Sequence, residues 1–209
     1  MAGGLPFISG SARQPSEPPR HLGIGVWNDP FSMGILNKAA GGRKTTMLRL
    51  PALPDAAWFF YASPPSYLSL RDDLPAQGWL AVTFQAKRLP VVILAPLIIG
   101  FPLLFFPPGM RLVRRALSKV VQQDATLLKC DPSEWHQYAL SWETENVTIQ
   151  LDGQNVLETS AVPQSRLGLV IWLDNQYMAL SPDGRIGYGM LPNLEPAWIE
   201  IRNLEIYRR

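Results

Sequence analysis

Two groups of polar and aromatic residues in this 209-residue chain have the chemistry of a binding site for a hydroxyl-rich ligand. Planar amides and carboxylates form paired hydrogen bonds with hydroxyls, and aromatic rings stack on the apolar faces of a sugar. Both groups end apolar stretches, GIGVW and VIWL, that are typical of strands. The candidate ligand-binding residues are Trp27, Asn28, Asp29, Trp172, Asp174, Asn175, Gln176 and Tyr177. The same residue types form ordinary turns at strand ends, so a structural role is the alternative.

The other polar residues form no recognisable set of catalytic residues. A retaining glycosidase places two carboxylates a short distance apart on one face of a strand. Glu195, Glu200 and Glu205 are spaced by five, so alternation sends successive members to opposite faces. The sequence also lacks a GxSxG elbow and a phosphate-binding glycine loop. It therefore favours a protein without catalytic machinery.

No cofactor is predicted. His21 and His136 are the only histidines and Cys130 is the only cysteine, which excludes a histidine-rich metal site. Calcium is allowed, because loop carboxylates can bind it. The available aspartates are Asp72, Asp73, Asp174 and Asp183, and their spacing defines no particular site.

Composition limits the partners and the compartment. The net charge is only +2 and 17% of residues are charged, so a general nucleic-acid surface is not expected. A single cysteine excludes an intramolecular disulfide and favours a reducing compartment. The first twenty residues lack the apolar core of a signal peptide. These features predict a cytoplasmic protein, with the inner face of the membrane as a further location.

Short stretches of alternating apolar and polar residues predict about nine or ten β-strands. The clearest are 134–143 and 146–151, and Asp152-Gly153 after the second is a two-residue hairpin signal. Strands are also predicted at 23–27, 44–50, 56–63, 66–73, 78–88, 154–160, 166–174 and 197–207. Residues 1–20, rich in Pro and Ser, are predicted to be a flexible arm before a single domain at 21–209. The predicted fold class is all-β, an antiparallel sandwich.

The second half of the chain resembles a known superfamily. The run Trp135-His136-Gln137-Tyr138-Ala139-Leu140-Ser141-Trp142, the following strand, the Asp152-Gly153 hairpin and the closing WIEIRNLEI are similar to the concanavalin A-like lectins and glucanases. The resemblance is to members of family 16 glycoside hydrolase or laminin-G-like architecture and spans residues 133–207. It implies a jelly roll whose concave sheet holds a glycan. The ExDxxE motif of the family 16 enzymes is missing, so the resemblance concerns the fold rather than the activity.

A long apolar run interrupts the predicted strands. Residues 89–110 contain no polar side chain, and basic residues flank them on both sides. The length suits a membrane span, but five prolines make a spanning helix unfavourable. Strands on both sides must also pair within one sandwich, which disfavours a single crossing. Three interpretations remain, namely buried core strands, a loop that covers a pocket, or a membrane insert.

A basic amphipathic helix is predicted directly after the apolar run. Met110, Val113, Leu117, Val120 and Val121 form an apolar stripe at helical spacing, with arginines and a lysine between them. Such a helix suits an anionic membrane surface. Packing against its own sandwich is the alternative. The run and the helix together form a predicted insertion at 89–124.

Three functions are compatible with these patterns. The first is a noncatalytic binding or scaffold module that attaches peripherally to a membrane or an apolar partner through the insertion. The predicted contact residues are Val91, Ile93, Leu97, Ile98, Phe101, Leu104, Phe105, Phe106, Arg111, Arg114 and Arg115. The second is a soluble carbohydrate-binding or glycan-processing protein with its ligand in the concave sheet. The third is an enzyme that acts on an apolar small molecule.

Overall fold

The computed structural model describes residues 6–13, 21–28, 53–86, 106–192 and 196–208. Strands and one α-helix make up most of these ranges. They are β1 (Pro6–Arg13), β2 (His21–Trp27), β3 (Ala56–Ala62), β4 (Gly78–Ala86), α1 (Pro107–Val120), β5 (Val121–Leu127), β6 (His136–Trp142), β7 (Val147–Leu151), β8 (Gln154–Thr159), β9 (Gly168–Asp174), β10 (Gln176–Leu180), β11 (Ile186–Met190) and β12 (Glu200–Arg208).

The strands form two five-stranded antiparallel sheets and a separate hairpin. Sheet A has the order β12-β1-β6-β7-β8, and sheet B has the order β5-β4-β3-β2-β9. The hairpin consists of β10 and β11. The prediction of an all-β antiparallel protein is confirmed.

The inner faces of the two sheets pack against each other. Apolar side chains that alternate along the strands of both sheets share one core, because residues two apart in a strand point to the same face. Leu22 and Ile24 of sheet B and Ile149 of sheet A are buried in it. The ring of Phe59 in sheet B meets the ring of Tyr138 in sheet A edge-on, with centroids 4.8 Å apart. These contacts define a sandwich.

The outer face of sheet B is buried as well. Trp58, Phe60 and Phe84 lie on it within a second apolar cluster. The segment 66–74 covers part of this cluster with its leucines, and Val120 at the end of α1 packs against it. A strand buried on both faces has no polar side to present to water, which explains the continuous aromatic sequence of β3.

Two of the predicted elements are wrong. Pro6–Arg13, expected within a flexible arm, is strand β1 and pairs with both β12 and β6. The buried Ile8 and Ala12 alternate along it and place one face in the core. Residues 66–73, expected to be a strand, make only one bridge, between Tyr67 and Ala179. Side chains bind the backbone there instead, because Leu70 N donates to Oε1 of Gln123. The predicted strand at 44–50 lies outside the described residues.

The insertion has different bounds from those expected. Helix α1 begins at Pro107, because proline is favoured in the first turn of a helix, and it ends at Val120 rather than at residue 124. Val121 is the first residue of β5 and pairs with Ala86, the last residue of β4. The chain between these two residues therefore leaves and rejoins sheet B at one place.

The predicted apolar contacts are only partly described. Phe106 at the start of α1 is described, whereas Val91, Ile93, Leu97, Ile98, Phe101, Leu104 and Phe105 lie outside the described residues. In the part of the chain that the structure describes, no helix is long and apolar enough to cross a bilayer.

A buried carboxylate ties the ends of several sheet B strands together. Asp55 precedes β3, and its Oδ2 accepts hydrogen bonds from the backbone N–H groups of Gln164 (2.9 Å) and Ser165 (2.6 Å). Its Oδ1 accepts a longer one from Ala86 N at the end of β4, at 3.4 Å. The backbone N–H of Asp55 donates to Oδ1 of Asn28, just after β2. One buried side chain thus accepts hydrogen bonds from a loop and from a strand end.

Replacement of Asp55 by alanine should destabilise the fold strongly. The variant removes the acceptor that three backbone N–H groups share and empties a buried position, and we expect the free energy of unfolding to fall by about 3 kcal/mol. Urea denaturation followed by circular dichroism measures the loss. Glu145→Ala, which removes an exposed carboxylate from a turn, is the matched control and should change stability by less than about 0.5 kcal/mol. Equal stability of the two variants would contradict this assignment.

Candidate functional site

The antiparallel pairing of β2 with β9 brings several of the predicted ligand-binding residues together. His21 pairs with Asp174 and Gly23 pairs with Trp172. Side-chain alternation places His21, Gly23, Gly25 and Trp27 on the outer face of sheet B. Residues far apart in sequence thus form one row beside the aromatic cluster.

The two tryptophans of the predicted ligand site stack on each other. The rings of Trp27 and Trp172 lie 5.9 Å apart and within 9° of parallel. Trp172 also stacks on Phe60 at 5.7 Å and meets Trp58 edge-on at 5.3 Å. Gly23 makes this packing feasible, because a Cβ there would lie 1.9 Å from the Trp172 ring. The ring faces that would stack on a sugar are used in packing between strands.

The predicted amides also have partners within the protein. Asn28 donates from Nδ2 to the carbonyl of Leu53, and Asn175 donates from Nδ2 to the carbonyl of Leu191. Tyr177 packs over the backbone of Gly189. Gln176 is exposed, and Asp29 lies outside the described residues. Asn28 and Asn175 therefore fix strand ends, as turn-forming residues do, and a role of this group in glycan binding stays a prediction.

Asp174 belongs to a polar chain that the sequence did not reveal. Ser66 Oγ and His21 Nε2 are hydrogen-bonded, and His21 Nδ1 lies 3.8 Å from Asp174 Oδ1. Burial lowers the pKa of His21 to about 4 and raises the pKa of Asp174, so the imidazole is neutral at pH 7. No linear motif could have indicated this chain, because its members come from β2, the 66–74 segment and the end of β9.

Ser66, His21 and Asp174 have the order of a Ser-His-Asp triad. A substrate cannot reach the serine, however, as acyl transfer would require. Ser66 is completely buried, with 0% of its surface exposed, so a carbonyl carbon cannot reach its Oγ. The gap between His21 and Asp174 also exceeds a hydrogen-bond length. In this structure the three side chains fasten the covering segment 66–74 to sheet B.

Helix α1 and the residue before it expose basic and large apolar side chains. Arg111, Arg115 and Lys119 follow one another at intervals of four, so they form a row along one side of the helix, and all three are exposed. Leu112 beside this row is 68% exposed and Phe106 at the helix start is 64% exposed. The helix contains no acidic residue. We call this set the α1 surface.

Arg114 is not part of the α1 surface, and its prediction as an exposed contact is wrong. It is buried, with Nη1 2.6 Å from Oδ1 of Asp72 and with Nη2 donating to the carbonyl of Ser69 at 3.1 Å. Its guanidinium carbon lies 5.7 Å from the centre of the Tyr67 ring. Arg114 follows the buried Met110 by four residues, so it shares the packed face of the helix and attaches it to the covering segment.

The other histidine, His136, also has partners within the protein. His136 Nδ1 lies 2.7 Å from Asp152 Oδ2, and Nε2 lies 2.8 Å from the carbonyl oxygen of Asp131. Burial lowers the pKa of His136, but the Asp152 carboxylate and the Asp131 carbonyl outweigh burial and raise it above the usual 6.5. Asp152 and Gly153 have φ values of 50° and 76°, which confirms the predicted hairpin turn.

Neither a metal centre nor a known relative identifies the site. Among the described residues, no group of three or more His, Cys, Asp or Glu side chains could hold a metal ion. Comparisons with protein-family models, with curated proteins and with solved structures give no match. The fold therefore defines the class, an all-β protein of antiparallel sheets, and the function has to be argued from its surfaces.

Gly23 should be essential for the packing of Trp172. A methyl group at this position would displace the indole ring, so we expect Gly23→Ala to lower the free energy of unfolding by about 2 kcal/mol. The near-ultraviolet circular dichroism of the tryptophan cluster should weaken. Gly168→Ala is the matched control, since a Cβ at that glycine of the same sheet meets nothing within 4 Å. The assignment fails if both variants keep the wild-type spectrum and stability.

The two histidines should give opposite contributions to the pH dependence of stability. His21 binds a proton near pH 6.5 in the unfolded chain but only near pH 4 in the folded chain. Its contribution to the stability of the fold therefore decreases as the pH falls. The loss from pH 7 to 5.5 should be about 1 kcal/mol. His136, whose folded pKa is raised, stabilises the protein below its unfolded pKa, and this contribution is lost as the pH rises through its folded pKa.

Urea midpoints measured from pH 5.5 to pH 8 would test these signs. The stability difference between wild type and His21→Gln should shrink toward pH 5.5. The difference between wild type and His136→Gln should shrink toward pH 8. The same slope in both comparisons would refute the two assignments.

Proposed function

We propose that this protein is a noncatalytic β-sandwich module of the concanavalin A-like type that binds peripherally to an anionic membrane surface through its insertion. The observation that carries the proposal is the α1 surface, where exposed Leu112 lies three residues from Arg115 of the basic row and exposed Phe106 precedes the helix. A helix with cations and large apolar side chains on its solvent-facing side suits the boundary between headgroups and acyl chains.

The sequence before the helix adds to this proposal. The apolar run 89–106 leads directly into α1, and both ends of the inserted segment return to the edge of sheet B at Ala86 and Val121. A module of this kind enters the membrane from one side and does not span it. The cytoplasmic leaflet carries negative lipids, and the predicted reducing compartment agrees with that face.

The sandwich supports the structural part of the proposal. The chain passes from sheet A to sheet B between β1 and β2, forms a meander there through β5, and returns to sheet A at β6. After β8 it crosses again, to β9 beside β2, and it closes at β12 beside β1. This repeated exchange between two antiparallel sheets is the kind of connection that the proposed jelly roll requires.

Vesicle flotation should show binding that depends on charge. We expect the full chain to float with vesicles that contain phosphatidylserine, and to float less with neutral vesicles or at high salt. Each basic residue near an anionic surface contributes about 1 kcal/mol, so Arg115→Glu/Lys119→Glu should weaken binding about 30-fold or more. Binding is measured as the fraction of protein that floats over a range of lipid concentrations.

A matched control separates a local effect from net charge. Lys129→Glu/Arg166→Glu makes the same change in net charge at exposed positions outside α1 and should bind nearly as the wild type does. Circular dichroism would verify that both variants fold. Equal weakening by the two pairs, or no flotation of folded wild type with any vesicle, would rule out the α1 surface as the membrane contact.

A further inference from the structure

We infer that the open face of the β10–β11 hairpin is a second membrane-contacting surface, which acts together with the α1 surface on an anionic bilayer. This inference rests on the proposed function. Strand pairing places Met178 opposite Tyr188, Gln176 opposite Met190 and Leu180 opposite Ile186, so these six residues share one face. We call it the hairpin face.

The hairpin face is the most exposed apolar surface of the described strands. Tyr188 is 81% exposed and Met190 is 75% exposed, and Met178 and Ile186 are exposed as well. The opposite face is packed, because Tyr177 covers Gly187 and Gly189. Clustered apolar side chains on a surface mark a contact with a partner or a membrane.

The hairpin is fixed to the base of α1. A Cβ at Gly184 in the hairpin turn would lie 2.0 Å from the carbonyl oxygen of Pro107 and 3.0 Å from Cγ of Arg111, so the turn lies directly against the first turn of the helix. Its φ of +84° further favours glycine. Tyr67 N donates to Met178 O, and Leu180 N donates to Tyr67 O. The hairpin and α1 are thus both attached to the covering segment 66–74.

Charge and residue type favour a membrane as the partner of the hairpin face. No residue of the hairpin face is acidic, and Arg185 and Arg111 border it at the end next to α1. Asp183, in the hairpin turn at this end, is engaged by Ser181 and Arg185. Tyrosine is enriched where headgroups meet hydrocarbon, and the methionines and isoleucine supply apolar area beside it. A bilayer that binds the α1 surface would therefore meet compatible chemistry at the adjoining hairpin.

Fluorescent labels at single cysteines would test this inference in the full chain. In a Cys130→Ser background, Tyr188→Cys, Leu112→Cys and Glu145→Cys each carry an environment-sensitive nitrobenzoxadiazole label. On addition of phosphatidylserine vesicles we expect a blue shift and a severalfold rise in emission at positions 188 and 112. The label at position 145, in the turn between β6 and β7, should not respond.

The outcomes distinguish this inference from the proposed function. A response at 112 without one at 188 overturns the hairpin contact and leaves the α1 surface in place. No response at either position overturns both. The label at position 188 could also respond without vesicles, with a signal that increases with protein concentration. Together with a doubled mass in light scattering, that result would assign the hairpin face to a second copy of the protein and overturn the membrane contact.

A paired substitution supplies an independent measurement. Tyr188→Ser/Met190→Ser should weaken flotation with anionic vesicles about tenfold, because it removes apolar area from the membrane contact. Leu204→Ser/Ile206→Ser removes two exposed apolar side chains from β12 in sheet A and should leave flotation unchanged. Equal binding by the two double variants would overturn the inference.

Discussion

The burial of sheet B on both faces is the constraint on which the rest of the structure depends. Its inner face packs on sheet A, and its outer face carries an aromatic cluster that needs a cover. A two-layer sandwich leaves one face of each sheet in water, so an outer face of this composition would be unfavourable without a third layer. The segment 66–74 and helix α1 supply part of that layer.

An irregular covering segment can be buried only if its backbone groups find partners. Several side chains from other elements provide them. Gln123 of β5 accepts from Leu70 N, and Gln77 donates to the carbonyl of Ser66. Arg114 of α1 donates to the carbonyl of Ser69, while His21 of β2 bonds the Ser66 hydroxyl. The buried side chains of His21, Gln123 and Arg114 are therefore explained by the attachment of this third layer.

The sequence predicted what local patterns determine. Alternation identified strands such as β7, and Asp152-Gly153 identified a turn. It failed where a distant residue supplies the missing interaction. Strand β1 looked like a flexible arm because its partners, β6 and β12, lie far from it in the sequence. Arg114 looked solvated because its acceptors belong to the covering segment, and the contact of Gly184 with Pro107 has no local signal.

Helix α1 and the β10–β11 hairpin both leave large apolar side chains in water. Both elements are amphipathic, since each packs one side against its neighbours and turns the other outward. In α1 the inner side holds Met110 and Arg114, and the outer side still carries Leu112. In the hairpin the inner face holds Tyr177, and the outer face still carries Tyr188 and Met190. Folding alone would allow polar residues at these outward positions, so the apolar ones agree with the membrane contact that we propose.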